Sequence, residues 1–430
     1  MTASGGATQS GSSATRTLGR TAATLMTAGM IIGTGIFGAL GATAERAGSA
    51  LLLAMIPGGL VCLATGISGA QLGVNFPRQG GAFIWARAFH LNTVAFLAGC
   101  CYVGQGIVGT SVVSLAFAHY SAQLVPGLPV HLTAGSVVLV VMVLNSFGIS
   151  FTSKVIIGLM LVIVALLGVF VFFAAPHVEV ARLVPTLDKG PFAFMAGAAI
   201  FFWAWDGFMR TAIMAGEIRD PRKAIPFSIL GGIAIAAVVY YAVAATTLGV
   251  LGAEEMAKDD VPLFKAAMQA IGSWGGWLIL GAAWTASINE LVSDLLSVSR
   301  VALAMGEAHE LPKWLGEVHP RFKVPRHAVL AVGMLVFAVV LVFDLRQVLP
   351  LASFYLLVWF AITHYAALHL SKEQRLFSPF FAWFGLAGCF VLLFFIPPLH
   401  LIIGMVTLAL AFGTRFIVRR QPKSGSVSAR

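Results

Sequence analysis

The chain has 430 residues, of which 59% are hydrophobic and 10% are charged, and its mean hydropathy is +0.91. A soluble domain of this length needs more polar surface, so the composition excludes one and predicts a polytopic membrane protein. The formal net charge is +10. In such a protein an excess of lysine and arginine is typical of cytoplasmic loops, and no nucleic-acid partner is needed to explain it.

The chain order predicts one membrane domain between two tails. Residues 1–15 are rich in Ser, Thr, Gly and Ala, which favours a disordered cytoplasmic tail over a signal peptide. Residues 16–420 form the predicted transmembrane domain, and residues 421–430 form a second cytoplasmic tail. At about 20 apolar residues per span, twelve spans are expected. They lie at about 21–45, 50–74, 93–121, 130–150, 155–175, 191–216, 225–250, 270–304, 328–346, 349–370, 377–396 and 398–417.

The distribution of basic residues predicts the orientation. Most of the 27 lysine and arginine residues fall on one side if both termini are cytoplasmic, as the positive-inside rule requires. The expected location is therefore the cytoplasmic (inner) membrane. The four cysteines lie in apolar segments and the ten histidines do not cluster, so neither a disulfide nor a metal site is expected.

Glycines interrupt the first span. Gly29, Gly33, Gly35 and Gly38 fall within ten residues of an otherwise largely apolar segment. Each glycine costs a helix interior roughly 1 kcal/mol relative to alanine. Unwound backbone is tolerated in lipid only where it is buried or lines a cavity. The run predicts a broken helix and a binding site near the bilayer midplane.

The sixth span is also unusual, because it carries Asp206 and Arg210 beside Gly207. Intramembrane charges should face a cavity or each other. One interpretation is a structural ion pair, since an acid four residues before a base is favourable on a helix. The other is that Asp206, between Trp203, Trp205 and Gly207, binds a cationic group of the substrate.

Four segments, in order along the chain, resemble the amino acid-polyamine-organocation (APC) transporter superfamily. They are Gly33-Thr34-Gly35-Ile36-Phe37; the loop from Pro77 to Phe89; Gly207-Phe208 with Glu217 to Pro226; and Ser299 to Met305 with Leu311-Pro312, His319-Pro320-Arg321 and Pro325.

The resemblance implies an all-α integral membrane fold with a leucine-transporter-type core. Five spans at about 21–175 and five at about 191–370 would form inverted repeats, with spans one and six broken, followed by two more spans at about 377–417. The sequence itself shows no convincing similarity between the two halves.

In such a core the start of the half-helix near Gly35 offers free N–H groups to a substrate carboxylate. Gly33, Thr34 and Gly35 are thus the predicted carboxylate cradle. Backbone carbonyls of both breaks are expected to accept hydrogen bonds from an α-ammonium; they belong to Ile31, Ile32, Phe202, Trp203 and Trp205.

Two positions of the sixth span can be compared with a superfamily member, the arginine/agmatine antiporter. Trp203 lies four residues before Gly207, where that antiporter has a tryptophan that covers the substrate. The alternative is an ordinary packing tryptophan. The antiporter has isoleucine immediately before the glycine, where this chain has Asp206.

Coupling leaves several alternatives. Some proton-coupled relatives have a lysine in span five where sodium-coupled ones bind the ion, and the matching position here is about Ile163. Lys154 is expected to be an anchor at the cytoplasmic surface. A sodium ion, a titrating acid or obligatory exchange remain. Asp206 and Asp294 are the coupling candidates, although Asp294 could also bond neighbouring helices.

We therefore expect a secondary carrier for amino acids or related amines, with no enzymatic activity and no cofactor beyond a possible coupling H⁺ or Na⁺. A polyamine or other organic-amine carrier of the same fold is the alternative, and a substrate-gated channel or receptor is the rival of another class. The expected partners are the small-molecule substrate and the lipid bilayer, and the expected state is a monomer or homodimer.

Overall fold

The computed structural model describes residues 18–77, 80–148, 152–213, 215 and 218–420, without the side chains of 417–420. The predicted tails at 1–15 and 421–430 lie outside the described residues. So do Arg78, Gln79 and Glu217 of the family-like motifs.

The described residues are almost entirely helical, with one isolated β-bridge between Leu18 and Ile218. The helices are α1 Arg20–Ile31, α2 Gly35–Ala47, α3 Leu51–Asn75, α4 Ala82–Ala88, α5 Asn92–Ala122, α6 Val130–Ser146, α7 Ser153–Ala174, α8 Gly190–Phe201, α9 Met209–Ile213, α10 Pro221–Leu251, α11 Ala253–Ala257, α12 Pro262–Ile271, α13 Ser273–Glu307, α14 Arg326–Val342, α15 Leu345–Leu368, α16 Phe380–Phe394 and α17 Pro398–Arg420.

Several helical segments of the described chain are long and apolar enough to cross a membrane. Six meet this criterion by length and composition, and four shorter apolar helices of 10–17 residues accompany them. The six are Gly35–Asn75, Asn92–Ala122, Ser153–His177, Pro221–Leu251, Leu345–Leu368 and Pro398–Phe416. The protein is therefore a multi-pass membrane protein.

Helices occupy the segments that the sequence marked as apolar, but the connections contain more structure than expected. The loop after the second segment contains α4, and the connection between the seventh and eighth contains α11 and α12. These helices are short, with five to ten residues. Helices of this length depend on tertiary packing, so hydropathy alone does not predict them.

The candidate site lies where the interruption between α1 and α2 meets the interruption between α8 and α9. α1 packs on α10 and α7, α2 packs on α8, and α5 lies between α13 and α15. α16 and α17 lie outside this core and expose large apolar side chains such as Phe394 and Met405, as expected of surfaces that face lipid.

Candidate substrate site

The first break consists of residues 32–34, between α1 and α2. Ile32 ends the first helix with φ −75° and ψ 67°, and the Gly33 N–H donates to the Ile31 carbonyl over 2.7 Å. α2 then begins at Gly35 with Thr34 as its N-cap residue. The backbone therefore leaves the helix at the glycines that predicted the break.

The Tyr240 hydroxyl of α10 shares its single proton between one carbonyl in each broken segment. Its hydroxyl lies 2.5 Å from the Ile31 carbonyl oxygen and 3.0 Å from the Ala204 carbonyl oxygen. The Tyr240 side chain is fully buried. Because an unpaired carbonyl is costly in a membrane interior, this hydroxyl stabilises the unwound backbone of both segments.

The second break follows a 3₁₀ turn, Phe202–Trp205, that continues α8. Asp206 is extended, with φ −66° and ψ 167°, and its N–H donates to the Trp203 carbonyl over 3.0 Å. Gly207 has φ 114°, which strongly favours glycine. α9 then begins at Met209 and is described as far as Ile213.

The two broken segments lie so close together that there is no room for a side chain at Gly207 or Gly35. A Cβ built on Gly207 would lie 2.0 Å from the Met30 carbonyl oxygen, and one built on Gly35 would lie 2.7 Å from the Ala204 Cα. Thr27 and Thr211 add a hydroxyl contact of 2.7 Å between α1 and α9. Any side chain at Gly207 or Gly35 would push the two broken segments apart.

A carboxylate of the protein occupies the predicted cradle. The Thr34 N–H donates to Glu290 Oε2 of α13 over 2.7 Å, and the Thr34 hydroxyl lies 3.4 Å from the Ser287 hydroxyl on the same helix. The start of α2 carries a partial positive charge, so this is a favourable place for an anion.

Contrary to one interpretation of the sequence, Asp206 and Arg210 do not pair with each other. The Arg210 guanidinium forms a salt bridge with Asp294 of α13. Asp206 Oδ2 instead accepts a hydrogen bond from the Gln105 amide of α5 over 2.9 Å. The helical four-residue relationship fails because Asp206 lies in the extended break and α9 begins only at Met209.

Three cavities converge on Arg210. The largest, here called the vestibule, has a volume of about 510 Å³ and is lined by Met30, Tyr102, Arg300 and Lys323, among others. Two small cavities of about 10 Å³ each lie at its inner end, each with room for about one water molecule. One contains Asp206, Gln105 and Asp294, and the other Gly33, Asn289 and Glu290. Arg210 lines all three.

The aromatic residues of the predicted site are buried by protein contacts. The Trp205 ring packs against Gly58 and Gly59 of α3, and its centroid lies 5.4 Å from that of Tyr240. The Phe202 ring contacts Phe360 at 5.8 Å.

Trp203 faces α5. Its Nε1 would lie 3.1 Å from a Cβ on Gly109, and this Nε1 has no hydrogen-bond partner among the described residues. Trp203 is only 3% exposed.

The expected coupling positions also have defined surroundings. Ile163, where some relatives place a lysine, is fully buried in α7, and Lys154 lies exposed in the first turn of that helix. Asp294 is 5% exposed. Among the described residues, no group of three or more His, Cys, Asp or Glu side chains could hold a metal ion.

Sequence reasoning did not single out Glu290 or Tyr240. Glu290 lies in the eighth predicted segment with Asp294, and its contact with Thr34 is made only in the folded protein. The two acids are four residues apart and share one face of α13. Their different partners, Thr34 and Arg210, come from distant parts of the chain.

Comparison with known proteins identifies the family. Residues 18–417 match the family model described as amino acid permease. The uncharacterized transporter Rv1999c of Mycobacterium tuberculosis is 33% identical over 420 residues, which are 95% of this chain and 93% of that protein.

Two relatives from Bacillus subtilis strain 168 carry substrates in their names. The branched-chain amino acid permease BcaP is 26% identical over 390 residues, covering 86% of this chain and 83% of its own. The serine/threonine exchanger SteT is 27% identical over 387 residues, covering 85% and 87%. The chain therefore belongs to the amino acid permease family of the APC superfamily, and it is a membrane transporter and not an enzyme.

Proposed function

We propose that this protein is a secondary active transporter that moves amino acids or closely related amines across the cytoplasmic membrane by alternating access. The observation that carries the proposal is the direct contact of two interrupted helices at the inner end of the vestibule. Broken helices that meet at a central site are typical of transporters with repeated halves. A channel with a continuous pore gives no reason for this arrangement.

The proposed architecture is twelve spans, with a five-plus-five inverted repeat whose first and sixth members are broken. Both termini are cytoplasmic. Arg300 and Lys323 line the vestibule, and the positive-inside rule places such residues on the cytoplasmic side. The conformation is then inward-facing, with the substrate site reached from the cytoplasm.

The proposed substrate site lies between the two breaks, α5 and α13. It comprises Ile31, Ile32, Gly33, Thr34 and Gly35 of the first break, and Phe202, Trp203, Trp205, Asp206 and Gly207 of the second. The Ile31 and Trp203 carbonyls already accept hydrogen bonds. Ile32 is therefore the preferred carbonyl of the first break for a substrate ammonium.

Transport is proposed to be proton-coupled or to proceed by exchange. Arg210 provides a fixed cation between the two broken helices and α13, where it pairs with Asp294. Protonation of Asp294 or Asp206 would change the charge balance around Arg210, as a proton-coupled step requires. The name of the exchanger SteT favours the exchange alternative.

A thermal-shift screen of the purified protein tests this function. Amino acids and amines are compared with and without sodium, because a ligand that binds only the folded state raises the melting temperature with its concentration. The proposal predicts a saturable, stereoselective shift by at least one amino acid or amine. Shifts by sugars or nucleosides but by no amino acid or amine would contradict it.

A further inference from the structure

The cradle at the first break is filled by Glu290 in a close fit. The carboxylate receives the Thr34 N–H over 2.7 Å. A Cβ added to Gly33 would lie 2.5 Å from Glu290 Oε2 and 3.1 Å from its carboxyl carbon. The carboxylate therefore rests on the Cα of Gly33, in a place that any larger residue at position 33 would close.

An unsatisfied acceptor lies beside this carboxylate. Asn289 is 5% exposed, lines the same small cavity as Glu290, and its Oδ1 has no hydrogen-bond partner among the described residues. A buried acceptor without a donor is costly. The cavity thus presents a carboxylate and a free carbonyl oxygen, both of which an N–H donor would satisfy.

The charge balance around the breaks favours a cation. Asp206, Glu290 and Asp294 are three carboxylates, and Arg210 forms its salt bridge with only one of them, Asp294. Arg300 lies ten residues beyond Glu290 on α13, about 15 Å along the helix axis. Two carboxylates therefore lack an ion-pair partner at the inner end of the vestibule, among the residues that the structure describes.

We propose that Glu290 is a built-in carboxylate that replaces the carboxylate of the substrate, so that the transporter selects amines that lack a carboxyl group. The ammonium of such an amine binds Glu290 and Asn289, while Glu290 keeps its hydrogen bond to Thr34. This inference rests on the transport function proposed above and narrows its substrate class.

An amino acid is at a disadvantage in this arrangement. Its carboxylate must displace a carboxylate that is tethered to α13 and therefore competes at a high effective concentration. The displaced Glu290 would remain close to the incoming negative charge, which is unfavourable in a site of low dielectric. A decarboxylated amine meets neither obstacle.

Matched ligand pairs test the proposal. The pairs are isobutylamine with L-valine, tyramine with L-tyrosine, and cadaverine with L-lysine, in each of which the two members differ by the carboxyl group. Dissociation constants are measured on the purified full-length wild type, Glu290→Gln and Glu290→Ala. Glu254→Gln is the matched control, because it makes the same change at an exposed carboxylate outside these cavities.

We expect the wild type to bind the amine of at least one pair about tenfold or more tightly than the amino acid, the size of one charge-assisted contact. Glu290→Gln keeps an acceptor for Thr34 but loses the charge, so amine binding should weaken by about tenfold. Glu290→Ala also empties the cradle, and the preference should move toward the amino acid. Glu254→Gln should bind as the wild type does.

The proposal is overturned if the wild type prefers the amino acid of every pair. It is also overturned if the ratio of the two dissociation constants in each pair stays, in both Glu290 variants, within twofold of the wild-type ratio. An equal loss of both members would also overturn it, since that indicates a structural role. Binding of neither member of any pair, nor of any other amino acid or amine, contradicts the transport function itself. A preference for amino acids that Glu290 does not influence refutes only the role of Glu290.

Discussion

At the scale of single residues, the site depends on which acid meets which partner. Asp294 and Glu290 are one helical turn apart on α13, yet one pairs with Arg210 and the other caps α2 at Thr34. The family resemblance implied a cradle at residues 33–35, and the sequence offered Asp294 as one of two coupling candidates. It could not predict that Glu290 fills the cradle, because the contact joins residues 256 positions apart.

A double-mutant cycle tests the pairing of Arg210. The side chains of Arg210 and Asp294 are 15% and 7% exposed, so removing one leaves the other charge poorly solvated. Arg210→Met and Asp294→Asn should each lower the melting temperature by roughly 2 °C or more. The melting temperature of the double variant should fall by clearly less than the sum of the two single decreases, because the two side chains are coupled.

The control for this cycle is Asp206→Asn combined with Arg210→Met. Asp206 bonds Gln105, so its coupling to Arg210 should be smaller than that of Asp294. Equal coupling of Arg210 to both acids, or additive losses for Arg210 and Asp294, would contradict the pairing described.

At the scale of elements, the apolar segments predicted where helices lie, and the glycines predicted where two of them break. The prediction was less complete in the connections, where α4, α11 and α12 depend on packing. Of the two interpretations of the sixth segment, the ion pair between Asp206 and Arg210 is not formed, because Arg210 pairs with Asp294. A four-residue spacing aligns side chains only on a continuous helix, and the break at 206–208 removes that relationship.

Arg346 links three helical segments on the side of the protein opposite the vestibule. Its guanidinium donates to Asp260 over 2.6 Å, to Glu45 over 2.7 Å and to the Ala257 carbonyl over 2.8 Å. These contacts join the start of α15, the connection between α11 and α12, and the end of α2. The whole length of α14 separates them from the vestibule, so they lie on the opposite face.

Arg346→Ala is expected to favour a conformation open to that face. Ser297 lines the vestibule, so Ser297→Cys, with the four native cysteines replaced, reports its accessibility. The two conformations should differ in free energy by only a few kcal/mol. The loss of the Arg346 contacts should therefore shift the population away from the cytoplasm-facing conformation, and labelling of the Ser297→Cys thiol from the cytoplasmic side in inside-out vesicles should fall.

Lys258→Ala is the control for this prediction. Lys258 pairs with Glu255 of α11, and the hydrogen bond from its ammonium holds the pKa of that carboxyl below its ordinary value. Both side chains are more than half exposed, and exposed ion pairs contribute little to the stability of a conformation. Unchanged labelling in Arg346→Ala, or an equal fall in Lys258→Ala, would contradict the role given to Arg346.

At the scale of the whole molecule, composition alone predicted a polytopic membrane protein, and four motifs predicted its family. The family model covers residues 18–417 and relatives align over nearly the full chain. The identity of the substrate could not be predicted in the same way. We propose that it depends on side chains such as Glu290 of α13 and Gln105 of α5, which line neighbouring cavities that form only in the folded protein.

Counterflow into proteoliposomes tests directly whether this protein is a carrier. Vesicles loaded with an unlabelled amino acid or amine, chosen by its thermal shift, are diluted into a trace of the same labelled compound. A carrier should give a transient, saturable accumulation of label in the wild type and in Gly168→Ala, whose new Cβ meets no atom within 4 Å. No accumulation is expected for Gly207→Ala, whose Cβ would collide with the Met30 carbonyl. Flux that does not saturate, or unchanged accumulation by Gly207→Ala, would contradict a carrier built on two broken helices.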